Sequence, residues 1–195
     1  MEADWEFDVG IDSPLIDGVW PGLVDLRADP QQVELIAECH QLTGFADALT
    51  RLNAPSAPVW TSKCDVWRPD SFDPDELDAL PELAGTAVAC YIDLLPKSDQ
   101  QWCAPSRVEH ECRALCGRLH AIPNPCCRAD FVIRRARVLV NEFAFGITAY
   151  LVASGPSENE AKARLASAIS TVVDSVLATT WLEAWAQSYN ENRGE

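Results

Sequence analysis

The sequence predicts an α+β fold, an antiparallel sheet with helices packed mainly on one face, in the order β-α-ββα-ββα. Three observations predict it. Period-two alternation or short continuous apolar runs mark five strands, apolar residues at helical spacing mark the segments between them, and the later strands come in pairs with a helix after each pair. A length of 195 residues suits one domain, 1–195, divided into an N-terminal strand, loop and helix (1–56) and two ββα units (57–195).

Residues 5–11, WEFDVGI, set Trp5, Phe7, Val9 and Ile11 against Glu6, Asp8 and Gly10, the pattern of a half-buried strand. The following DSPLIDGVWPGLVDLRADP is rich in Pro, Gly and Asp and reads as a long connection. Asp29 then caps a helix with Pro30 in its first turn. Val33, Ile36, Leu42, Leu49 and Leu52 form its stripe, and Asn53 and Pro55 stop it.

The stretch 59–67, VWTSKCDVW, alternates again, with Trp60, Ser62, Cys64 and Val66 on one side and Lys63 and Asp65 on the other. Residues 86–96, TAVACYIDLLP, are apolar on both faces, as a central strand requires. A Cys-rich helix over about 106–121 follows, then strands at 128–140 and 145–155. The last helix opens with Ser157 three residues before Glu160, a capping-box spacing, and carries Ala161, Leu165, Ala168, Ile169, Val172, Val176 and Leu177 on one stripe toward TTWLEAW. ACYIDLLPKSD and TAYLVASGPSE resemble one another and place Tyr91 and Tyr150 alike, which raises a ββα pseudo-repeat beside chance similarity of short strands.

Thirty Asp and Glu against fifteen Lys and Arg leave a net charge of −15. Nucleic acids and anionic membranes are poor partners for such a surface, because both are held by cations. A protein partner, itself basic, is the better match. A mimic of DNA that titrates a nucleic-acid-binding protein follows from charge alone. No run approaches the roughly 18 apolar residues of a membrane span. The acidic start lacks a basic and then apolar leader, so the eight cysteines read as reduced cytoplasmic thiols.

Three groups of side chains carry possible chemistry. In VEHECRALCGRLHAIPNPCC, Cys116, His120, Cys126 and Cys127 are the soft donors that zinc or another soft metal would use. Helical geometry puts Cys112 among Val108, Leu115 and Leu119, where a core uses Cys as a small apolar residue, and no CxxC is present. Arg128 beside the Cys126–Cys127 pair would lower a thiol pKa if either thiol were exposed.

The second group is the acidic run Asp70, Asp73, Asp75, Glu76 and Asp78. It lacks the glycine and terminal Glu of a calcium loop and fits a short helix start at Asp73–Pro74. The third lies on the sheet: Arg135, Arg137, Lys63, Asp65 and Asp93, with Trp60, Trp67 or Trp102 as walls. Cross-strand ion pairs account for these charges, and a concave face would turn them into a site for a small anion. No motif of a hydrolase, nucleotide-binding or metalloprotease site occurs, so no cofactor is expected. The leading expectation is a non-catalytic binding protein of the interaction, inhibitor or adaptor type. The alternative is a small-molecule- or soft-metal-binding protein, enzyme or not, with its pocket on the sheet face or near the Cys-rich helix.

Overall fold

The computed structural model describes residues 1–80, 84–97, 102–140 and 142–178. The elements run β1 (Glu2–Asp8), β2 (Ile16–Asp17), α1 (Phe45–Asn53), β3 (Val59–Trp67), β4 (Thr86–Pro96), α2 (Pro105–His120), β5 (Cys127–Leu139), β6 (Glu142–Gly155) and α3 (Glu158–Leu177). The strands lie in the order β1-β5-β6-β4-β3, with β2 joining β5 beyond the end of β1. The α+β class and the expected element order stand. The sheet is mixed, however: β3–β4, β4–β6 and β5–β6 are antiparallel, whereas β1 and β2 run parallel to β5. Alternation in a sequence assigns a face to each residue and carries no strand direction. No short turn joins β1 to β5, so nothing local fixes that pairing.

All three α-helices cover one face. α2 lies against β1 and β5, α3 against β6 and β4, and α1 against β3 and α3. The core beneath them contains the expected stripe Val108, Cys112, Leu115, Cys116 and Leu119 of α2, and Leu165, Ile169, Val172 and Val176 of α3. Each of those four α3 side chains contributes about 1.5–3 kcal/mol on burial, so the stripe alone rivals a domain's whole net stability. α3 starts as expected. The Ser157 hydroxyl accepts from the Glu160 amide at 3.4 Å and donates to the Glu160 carboxylate at 3.2 Å. The expected continuation through TTWLEAW lies outside the described residues.

The segment 30–53 is not one helix. It forms 3-10 turns at Pro30–Leu35 and Ala37–His40 before α1 begins. Asp29 does cap the first turn, accepting from the Gln31 amide at 3.0 Å. The stripe fails at the interval of six from Ile36 to Leu42, which turns through about 240° and returns to a different side. Ile36 is extended, and Gly44 at φ 82 resets the chain at the α1 N-cap. A left-handed residue there suits glycine. β1 likewise starts earlier than its alternation suggests. Trp5 and Phe7 still oppose Glu6 and Asp8, but Val9 and Ile11 fall in an exposed turn.

β3 departs from its sequence pattern in a way that decides the site. Thr61 pairs with Leu94, but Cys64 pairs with Ile92, so β3 holds one extra residue at Ser62–Lys63. This bulge reverses the alternation. Val59 and Thr61 before it, and Cys64 and Val66 after it, register with helix-side residues of β4. Trp60 therefore does not share a face with Cys64 and Val66; it faces away from the helices with Leu95. The bulge is pinned by Asn53, the last residue of α1. Its Nδ2 donates to the Leu49 carbonyl (2.8 Å) and to Thr61 Oγ1 (2.7 Å), and its Oδ1 accepts from the Thr61 amide (3.1 Å).

The face opposite the helices is closed at both ends by loops. At one end Ile16 packs with Trp60, Leu95, Ala136, Val138 and Ala144. Beside it Asp17 meets Arg137 of β5 through its carboxylate and Ser62 of β3 through its carbonyl. Gly18 permits this closeness, since a Cβ would lie 2.7 Å from Trp60 and 2.9 Å from the Arg137 carbonyl oxygen. At the other end Leu77, Ala79 and Cys126 pack with Phe72 and Val152. Between the two caps lies an uncovered trough.

Candidate functional site

The trough is built on the register of four strands. Asp8 of β1 stands beside Arg134 of β5, and Thr148 of β6 stands beside Asp93 of β4. Arg134 donates from Nε to Asp8 (3.3 Å) and from Nη1 to Thr148 Oγ1 (3.3 Å) and the Tyr150 hydroxyl (3.1 Å). Thr148 in turn donates to Asp93 Oδ1 at 2.6 Å. Burial pushes the Asp93 carboxyl above its ordinary range, against the opposing pull of the Thr148 hydrogen bond and the charges of Arg134 and Lys63. The chain of donors thus holds a nearly buried acid, 6% exposed, in a fixed place on the floor.

Beside this row runs an aromatic strip. The rings of Trp67 and Tyr91 are 6.2 Å apart and those of Tyr91 and Tyr150 are 5.9 Å apart. The Tyr91 hydroxyl is pushed up to about 12, first by burial and then by the charges of Asp93 and Asp65. Acids frame the strip. Asp4, Glu6 and Asp8 follow one another at alternate positions on edge strand β1, and Asp130 stands next to Asp4 in register. Arg128 binds Asp130 on the same strand with both bonds at 2.9 Å. The loop before β4 adds Asp73 and Glu76 to the wall of a shallow cleft of about 260 Å³ over Trp67 and Tyr150. The Asp73 carboxylate accepts from the Asp75 amide at 3.0 Å, as expected of a short helical turn.

The sheet residues singled out in the sequence divide in two. Asp65, Trp67 and Asp93 meet on the trough, and Lys63 reaches it from the bulge. Trp60 shares that face but is buried under the β2 loop, with its Nε1 donating to the Pro96 carbonyl at 3.0 Å. Trp102 belongs to the helix-side core and not to the trough. Arg135 and Arg137 alternate with Arg134 and therefore leave β5 on the other side. Both tie down the 10–17 loop. Arg135 donates to the Gly10 and Ile11 carbonyls, and Arg137 grips Asp17, holding that carboxyl below its ordinary range.

The soft donors do not converge. Cys116 is buried in the core, its thiol pushed up to about 11 mainly by burial. His120 is at the end of α2, where Nε2 accepts from the Ala3 amide at 3.3 Å. Cys127 is buried at the start of β5 with its thiol pushed up to about 12, and Cys126 is buried in the turn before it with φ 61. Among the described residues no three His, Cys, Asp or Glu side chains gather as a metal ion would require.

Sequence reasoning missed Thr148 and the linking role of Arg134. A polar pair on neighbouring strands has no one-dimensional signature until the register is known. Fold and site together define a single-sided α+β sheet protein with helices behind and an acidic, aromatic trough in front. Comparison of the chain with protein-family models, with curated proteins and with solved structures finds no match.

Proposed function

We propose that the chain is a non-catalytic cytoplasmic binding protein, of the interaction, inhibitor or adaptor type, that receives a basic protein partner in the trough. One observation carries this reading: the acids Asp4, Glu6, Asp8 and Asp130 border the strip Trp67–Tyr91–Tyr150 on the face the helices leave open. Arg and Lys side chains suit both features at once. Their cations pair with Asp4 and Glu6, since Asp8 and Asp130 are already held by Arg134 and Arg128, and lie over the rings, each ring contact contributing about 0.5–1 kcal/mol when exposed. The excess negative charge speeds encounter and makes it salt-dependent. Cys39, Cys64, Cys116 and Cys127 give no support to a nucleophile, since burial pushes each of these thiols well above neutral pH.

A peptide alternating Arg with Gly tests the reading. Its affinity is expected to fall at least about tenfold between 0.05 and 0.5 M salt. Asp4→Asn/Glu6→Gln/Asp8→Asn should weaken it further than Asp47→Asn/Glu109→Gln/Glu158→Gln, which makes the same charge change on the helices. Equal losses from the two triple variants would reduce the effect to net charge and refute the assignment of the face.

A further inference from the structure

We propose that a second cleft, at the β3 edge, binds a small amphipathic carboxylate, with its apolar body against Trp20 and its acid head on Lys63. This goes beyond the reading above; the cleft meets the trough at Lys63 and Tyr91 and is otherwise lined by other residues. The cleft measures about 360 Å³, within the size range of small-molecule pockets, and runs from the β2–α1 connection to Tyr91 at the border of the trough. Its apolar surface comes from Trp20, Val24, Leu35, Ile36 and Leu49. Leu35, 72% exposed on its 3-10 turn, extends this apolar surface to the cleft mouth.

Lys63 supplies the head-group contact. Its ammonium lies 5.3 Å from the centre of the Trp20 ring and, among the described residues, has no hydrogen bond or ion pair. Among the described residues Arg68 shares that isolation, but Arg68 lies on a different cleft. Arg27, Arg51, Arg113, Arg128, Arg134, Arg137 and Lys162 all pair with carboxylates. The bulge explains how Lys63 stays apart, because an added residue turns the local strand and re-aims its side chain.

The cleft also contains Glu38, which acts electrostatically on Cys39 and Cys64, whereas Lys63 acts on Asp17 and Asp93. An anionic head is therefore drawn to Lys63 and repelled by Glu38 within the same cleft. Gly22 lets the Trp20 indole fold back over its own loop, since a Cβ there would come 1.9 Å from the ring.

Calorimetric titration of the full chain with naphthalene-2-carboxylate, its carboxamide and 2-naphthylmethylamine tests the proposal. The carboxylate is expected to bind at least about tenfold more tightly than the amide, and the amine more weakly than either. Lys63→Met should erase the preference for the acid, Lys63→Arg should keep it, and Trp20→Leu should weaken acid and amide alike. Lys162→Met, on α3, should change nothing. Melting curves confirm that each variant folds, and the Lys63→Arg and Trp20→Leu comparison stands if Lys63→Met does not. Equal affinity for acid and amide, preference for the amine, an unaltered Lys63→Met, or no binding of any of the three would overturn it.

Discussion

Replacing Asn53 with Ala should be among the most damaging single truncations of a polar side chain in this protein. Asn53 is 4% exposed and Thr61 is 8% exposed, so water does not replace what is lost. Removing Oδ1 strands the Thr61 amide, a cost of about 1–3 kcal/mol for a buried donor. Losing the 2.7 Å bond to Thr61 Oγ1 adds about 1 kcal/mol. The Leu49 carbonyl contributes little, since it lies within the helix ladder. The sum is about 3 kcal/mol, which corresponds to a fall in Tm of roughly 6–12 °C for a chain of this size. Urea and thermal denaturation followed by far-ultraviolet circular dichroism measure it. Asn53→Asp keeps an acceptor for the Thr61 amide but buries a carboxyl against the Leu49 carbonyl, so its loss should shrink in acid, where the protonated group can donate. A loss below about 0.5 kcal/mol for Ala would show that Asn53 does not hold the bulge.

Further outcomes follow from individual sites. The Asp93 carboxyl lies above its ordinary 3.8 in the fold, so the folded state binds its proton more tightly than the unfolded chain does. Its ionisation costs stability as pH rises through the folded value; Asp93→Asn should therefore melt higher than the parent at neutral pH and converge with it in acid. Asp17 is held below 3.8, so its contribution is present above that pH and fades in acid; Asp17→Asn should melt lower than the parent at neutral pH and converge with it in acid. Thiol titration with a chromogenic disulfide at pH 8 should label exposed Cys103 at once, and Cys90 and Cys112 only on unfolding. Gly44→Ala should cost about 1–2 kcal/mol by chemical denaturation, because φ 82 is strained for any residue with a Cβ.

The strands and helices from 59 onward were legible because each shows a strand or helical period, or a continuous apolar run, beginning at a clear signal. Residues 86–96 match β4 end to end, and Ser157 with Glu160 marks the start of α3. What stayed hidden depends on pairing. The Ser62–Lys63 bulge has no mark in VWTSKCDVW, where unbroken alternation accounts for the same letters. Trp60 was therefore assigned to the wrong companions. Arg135 and Arg137 were correctly set on one face, but which face lay open depended on where the helices settled. The trough itself needs Asp8, Arg134, Thr148 and Asp93 side by side, and those residues come from four strands spread over about 140 positions of chain.

The bulge in β3 also bears on how this sheet ends. β1 and β3 are its two margins, and a straight margin offers unpaired amides and carbonyls to any other strand. On the β1 side Asp4, Glu6 and Asp8 repel a second copy of themselves. On the β3 side the extra residue at Ser62–Lys63 interrupts the spacing that an incoming strand would need to match. Deleting one residue there would straighten the margin and give the chain a template for open-ended stacking.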